Sequence, residues 1–236
     1  MLVSAAICPH PLLLVPELAV SDRPEIERLR LACLSALDAV RATSPELLVV
    51  VGAGESTRQH SVDDIADFRA FGVETSVRLP GASGPPNGSL PMSLSVGAWL
   101  LRAGDWPAPV SAMSVGRGST AERCHELGAD VAALADRVAL LVMGDGSVGR
   151  TDDAPRPFDP RAATFDASVA TALRDGDPDA LGAIDGELGG ELGADGVEAW
   201  RVLAGAAEEA TMDAEVLYDD APFGVGYVVA VWERHG

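Results

Sequence analysis

Apolar and polar positions along this chain follow two periods, and the switches between them divide it into strands and helices. Residues 2–8 form an unbroken apolar run apart from Ser4, as expected of a short strand covered on both faces. The run stops at Pro9-His10-Pro11, where flanking prolines keep the backbone extended and present a histidine at the strand's C-terminal end. From 22 or 24 to about 41, apolar residues return at helical spacing, Ile26, Leu29, Cys33, Leu37 and Val40 among them, with Asp22 placed as a cap. Residues 47–51 are the strongest strand in the chain, halted by Gly52-Ala53-Gly54.

The alternation continues with a strand over 73–79, a Gly/Pro/Ser loop over 81–88, a helix over 91–102 and a strand over 109–115. A helix over 120–135 and a strand over 138–143 follow, the strand ending in Gly144-Asp145-Gly146-Ser147. Beyond a loop at 155–160 the pattern is helical over 160–173, 178–188 and 196–210, and two strand-like runs, 214–218 and 225–232, close the chain. Strands alternating with helices predict an α/β fold with a mainly parallel sheet sandwiched by helices. Neither a repeat nor a linker divides the chain, so residues 1–236 read as one domain.

Charge and composition narrow the function. The net charge is −19, which disfavours nucleic acid and anionic membrane surfaces as partners. The acidity is uneven: residues 1–118 carry 9 basic and 12 acidic side chains, residues 119–236 carry 8 and 24. All 17 basic residues are arginine. Schiff-base lysines, pyridoxal-phosphate anchors and the phosphate lysine of nucleotide-binding loops are thereby excluded. Cys8, Cys33 and Cys124 show no CxxC spacing, which speaks against a disulfide framework or a thiolate zinc site and for a cytoplasmic setting. The N-terminal apolar run lacks a preceding basic residue and is broken by prolines, so neither a signal peptide nor a membrane span is expected.

In open α/β sheets, ligands bind beyond the carboxyl ends of the strands. Polar or glycine-rich chemistry falls at three such ends: Pro9-His10-Pro11, Gly52-Ala53-Gly54-Glu55-Ser56 and Gly144-Asp145-Gly146-Ser147. The Gly52-Ala53-Gly54 step begins like a dinucleotide fingerprint, but position 57 is threonine and no apolar helix follows in phase. A nucleotide site is therefore the weakest of the readings. Of the four histidines, His125 and His235 read as surface residues, His60 as a residue of a polar loop, and His10 alone has a constrained setting.

Taken in order, these features resemble the catalytic subunit of the class III extradiol ring-cleavage dioxygenases and the related Memo-type proteins, over nearly the whole chain. The resemblance rests on Ile7-Cys8-Pro9-His10-Pro11 leading to Val15-Pro16-Glu17, and on the strand over 47–51 with the loop after it. It rests also on Gly144-Asp145-Gly146-Ser147-Val148, followed by Phe165-Asp166 and 177–181, and on Gly193-Ala194-Asp195-Gly196-Val197-Glu198. It implies a three-layer fold and a face of two histidines and one carboxylate that holds Fe(II) for a catechol-like substrate and dioxygen. His10 matches the first ligand and Glu198 the carboxylate ligand. Glu55 stands where the second histidine is expected, and Val148 where the acid/base histidine is expected.

The implied metal set is thus His10, Glu55 and Glu198, with Asp145 or His60 left for the proton. The function that follows is an iron-dependent oxidoreductase binding a catechol-like or small polar ligand. The alternative is a non-catalytic, Memo-like binding or scaffold protein that has lost the acid/base histidine. Relatives of this kind form homodimers or pair with a small second subunit, so self-association is a further implication.

Overall fold

The computed structural model describes residues 1–19, 23–107 and 109–235. Its strands are β1 (Leu2–Cys8), β2 (Leu47–Gly54), β3 (Arg58–His60), β4 (Ile65–Asp67), β5 (Ser76–Arg78), β6 (Val110–Gly116), β7 (Val138–Met143), β8 (Met212–Asp220) and β9 (Tyr227–Arg234). Its α-helices are α1 (Pro24–Ala42), α2 (Met92–Ala103), α3 (Ala121–Ala132), α4 (Arg161–Asp175), α5 (Pro178–Gly182), α6 (Gly186–Leu192) and α7 (Val197–Ala207). A seven-stranded sheet runs in the order β3-β6-β2-β7-β1-β9-β8. Its centre, β6-β2-β7-β1, is parallel, whereas β3, β9 and β8 pair antiparallel at the two sides.

The continuous apolar runs form these central strands because both of their faces are covered. Along β7, Val138, Leu140 and Val142 enter one core with Leu127, Phe165, Trp200 and Leu203, from the side of α3 to α7. Ala139, Leu141 and Met143 enter the other with Leu29, Leu37, Leu94 and Leu100 of α1 and α2. Each such aliphatic side chain contributes about 1.5–3 kcal/mol on burial. The expected three-layer α/β architecture is the observed one, with a mixed rather than uniformly parallel sheet. No helix among the described residues is long and apolar enough to cross a membrane.

Local differences from the sequence pattern have physical causes. The strand expected over 73–79 shortens to β5 and pairs with β4 in a separate two-stranded ribbon. The helix expected over 178–188 breaks in two, because the Asp185 side chain accepts from the backbone N–H of Glu187 and Leu188, both at 3.0 Å, and starts α6 afresh. Segment 58–60, read as loop, is an edge strand whose only buried residue is His60. Asp22, the expected cap of α1, lies outside the described residues.

Two glycines set the crossing of α3 on α7. A Cβ at Gly128 would overlap the Val202 carbonyl and the Ala206 amide, and one at Gly205 would overlap the His125 backbone. Overpacking a contact of this kind costs about 1–3 kcal/mol. Gly128→Val and Gly205→Val are therefore each expected to lower the urea midpoint by at least that equivalent. Gly190→Ala, on α6 with open space around it, is expected to leave the midpoint unchanged or raise it slightly.

Candidate functional site

Because β6, β2, β7 and β1 run parallel, their C-terminal ends share one border of the sheet. Arg117 follows β6, Glu55 follows β2, Asp145 follows β7 and His10 follows β1. The start of α7 is laid against this border: the Asp195 amide donates to the Asp145 carbonyl at 3.1 Å. The approach is close because glycines meet the Trp200 indole there. A Cβ at Gly144 would lie 3.1 Å from Trp200 Nε1, and one at Gly196 would overlap the ring.

His10 is 6% exposed and lies between two carboxylates. Its backbone amide donates to Asp145 Oδ1 at 2.7 Å, its Nδ1 stands 3.6 Å from the same oxygen, and its Nε2 lies 3.3 Å from Asp195 Oδ2. Asp195 in turn accepts from Arg117 through Nε at 2.6 Å and through a terminal nitrogen at 2.8 Å, a bidentate pair. Burial works against a charged imidazole at His10, but the carboxylates of Asp145 and Asp195 outweigh it and raise the pKa. Burial likewise raises Asp145, against the pull of His10. Asp195 is also opposed by burial, yet the hydrogen bonds from His10 and Arg117 hold its pKa down to about 2. With His10 protonated, the quartet Asp145, His10, Asp195 and Arg117 balances its own charge.

The other expected site residues have different neighbours. Glu198, in the first turn of α7, accepts from the Gly118 amide at 2.7 Å and ties the β6–α3 turn to the helix. Glu55 is exposed on the rim of a cavity of about 400 Å³, which Arg58, His60, Ser114 and Arg117 also line. Val148 donates its amide to the Leu192 carbonyl at 2.8 Å and bridges to Val225, so it closes the loop after β7. Asp145, expected to move a proton, holds the His10 backbone. The structure therefore brings His10 to Asp145 and Asp195 rather than to the two glutamates. Among the described residues, no group of three or more His, Cys, Asp or Glu side chains is arranged to hold a metal ion. Gly52 and Gly54, weighed as a phosphate turn, lie within β2; their bare Cα atoms face Ser93 and Ser114, which a Cβ would strike.

Three residues of this region carry little signal in the sequence pattern. Asp195 lies in the same motif as Glu198, but just ahead of the helix, where a carboxylate reaches the strand ends. Arg117 follows β6 in a Gly-Arg-Gly turn that carries no marker of its own. Asp166 belongs to the Phe165-Asp166 step, which implies no role for it, yet it is 8% exposed and accepts from the Ser147 amide, the Ser147 hydroxyl and Arg150, at 2.8, 2.8 and 2.9 Å. A Cβ at Gly146 or Gly226 would collide with it, so it pins the loop after β7 to the start of β9.

No protein-family model and no curated protein matches this chain. Among solved structures, the crystal structure of uncharacterized protein JW3007 from Escherichia coli K12 is similar at 16% identity and a TM-score of 0.60. That similarity covers 98% of this chain and 99% of the other. At this identity the two share a fold.

The ionisation pattern sets a pH dependence. Asp195 ionises more readily in the fold than its ordinary value of 3.8, so its stabilisation is complete above that value and is lost as pH falls toward about 2. Asp195→Asn is expected to lower the urea midpoint at about pH 6, with the wild-type and variant midpoints converging as pH falls to about 2. His10 runs the other way: its contribution is complete below 6.5 and is lost as pH rises through its raised folded value.

Proposed function

We propose that this chain is a divergent relative of the extradiol dioxygenases that binds a small polar ligand at the strand C-terminal ends without a metal, its own Arg117 standing where a cation would. The observation that carries the reading is the bidentate Arg117–Asp195 pair, whose carboxylate also meets His10 Nε2. Both ring nitrogens of His10 face carboxylates, on opposite sides of the imidazole. A metal on Nε2 would have to take that nitrogen from Asp195 and expel Arg117 from its partner, while Nδ1, which has no hydrogen-bond partner among the described residues, faces Asp145 at 3.6 Å. The Arg117 charge beside it would oppose a divalent ion. The residues present therefore do not fit Fe(II). Val148, in the place of an acid/base histidine, has no proton to give. The ligand space is the cavity of about 400 Å³ bordered by Arg58, Arg117 and Glu55, a mixed lining suited to a small polar molecule.

A second reading, iron-dependent cleavage of a catechol-like ring, draws on His10 lying at the end of β1 with two carboxylates beside it. One experiment separates the two. After anaerobic Fe(II) loading and desalting, the metal-free reading expects the same trace iron in wild type and His10→Ala, and no catechol-dependent oxygen uptake. One iron per chain that disappears in His10→Ala, with oxygen uptake abolished in Glu198→Gln, would establish the second reading instead.

A further inference from the structure

The same cavity is bordered by another buried polar set. Asp64 Oδ2 lies 3.3 Å from His60 Nδ1, and His60 Nε2 lies 3.0 Å from Ser114 Oγ. The three residues are 4%, 5% and 2% exposed, so this is an organised line of carboxylate, imidazole and hydroxyl within the protein. His60 and Ser114 border the cavity, and Asp64 stands behind the imidazole. The antiparallel pairing of β3 with β6 fixes the spacing, since His60 pairs with Ala112 and Arg58 with Ser114. The Asp64 carboxylate on Nδ1 selects the tautomer with its hydrogen on that nitrogen, leaving Nε2 as an acceptor beside the hydroxyl; in the resting structure Ser114 Oγ donates to the Ser56 carbonyl at 2.8 Å, and a turn of the hydroxyl brings its hydrogen to Nε2. Burial and the Arg58 charge push the His60 pKa down against the pull of Asp64, so the imidazole is neutral near pH 7 and able to take a proton.

Two further features meet the same space. The helix α2 begins here: Pro91 and Met92 line the cavity, and Pro91 offers no side-chain cap. The first backbone N–H groups of α2 are thus left to serve a negative charge. Arg58 and Arg117 add positive charge to the lining. A nucleophile, a base, a group orienting the base and donors for a developing oxyanion together make up the parts of an acyl-transfer site.

We propose that Ser114 is the nucleophile of an ester-hydrolysing site, with His60 as its general base and Asp64 as the positioning residue behind it. The substrate class is a small carboxylic ester with an anionic or polar group, matched to the arginines and to the cavity volume. In the first step, Ser114 Oγ bonds to the acyl carbon as its proton passes to His60 Nε2. The ester C–O bond then breaks, and the departing alkoxide takes that proton. In the second step, His60 takes a proton from water as the hydroxide bonds to the acyl carbon. The acyl–Ser114 bond breaks, the acid leaves and the proton returns to Ser114 Oγ. The proposal shares Arg117 with the metal-free reading but does not rest on it.

The test is covalent labelling with a fluorophosphonate, which bonds its phosphorus to an activated serine oxygen and releases fluoride, carried out on the whole chain with a chelator present. Intact mass and peptide mapping are expected to show one adduct per chain, on Ser114. The adduct should be absent in Ser114→Ala and should form about 10²-fold or more slowly in His60→Gln. Wild-type protein that is folded by circular dichroism yet carries no adduct on Ser114 overturns the proposal without recourse to any variant. Labelling of His60→Gln at the wild-type rate overturns it as well. The rate–pH profile reports on Asp64. The charges facing His60 are Asp64 and Arg58, with Glu55 and Arg117 also on the cavity lining. Asp64→Asn removes the charge that raises His60, so the acid limb moves to lower pH; an unmoved limb in a folded variant removes the positioning role. Because chelator is present throughout, the outcome leaves the iron-loading experiment untouched.

Discussion

The Asp195 carboxylate does for the border of the sheet what a bound cation does elsewhere: it makes loops from separate strands agree on one geometry. One of its oxygens meets His10 after β1, both meet Arg117 after β6, and its own amide is anchored on Asp145 after β7. Charges as buried as those of His10 and Asp145 would each cost several kcal/mol in isolation. Joined in one chain of alternating sign they satisfy one another, and the loops that carry them have little freedom left. The position of α7, and with it the packing of Trp200 over Gly144 and Gly196, follows from that anchorage.

An internal arginine and a bound metal are not equivalent solutions. A metal leaves open positions where a substrate or dioxygen enters its coordination shell. A guanidinium offers only hydrogen-bond donors and has no redox chemistry. In the metal-free reading proposed above, the crevice and its polarity serve binding and proton chemistry. The roles proposed for Asp64, His60 and Ser114 at the same cavity need nothing beyond such chemistry.

The central strands were legible because burial on both faces leaves a mark nothing else leaves: a run of aliphatic residues cut off by glycine or proline, as at 47–51 and 138–143. The helices facing the two cores were legible for the equivalent reason at a period near 3.6. What escaped was whatever is held by polar contacts. β3 has a strand's pairing with a loop's composition, so His60 read as a residue of a polar loop although it is buried on β6. The break at Asp185 is a cap within an otherwise uniform helical pattern. At the strand ends, His10 and the loop at Asp145 were recognisable from proline and glycine punctuation, but Asp195, the second carboxylate beside His10, was not. Glu198 and Asp195 are three residues apart in one motif, and only the fold decides which reaches the imidazole and which turns back to the Gly118 amide.

The sheet's outer strands carry a different consequence. β8 is the last strand on one side, and it displays Asp213, Glu215, Asp219 and Asp220 with a register shift between Val216 and Tyr218. On the other side β3 is only three residues long. Strongly apolar sheets are prone to recruit a neighbouring molecule's backbone along an open margin, and like charge, irregularity and brevity are how that recruitment is discouraged. Four of the carboxylates in the acidic second half of the chain thus guard a core rich in valine and leucine against fibre-like stacking, a protection that proton uptake by those carboxylates would weaken.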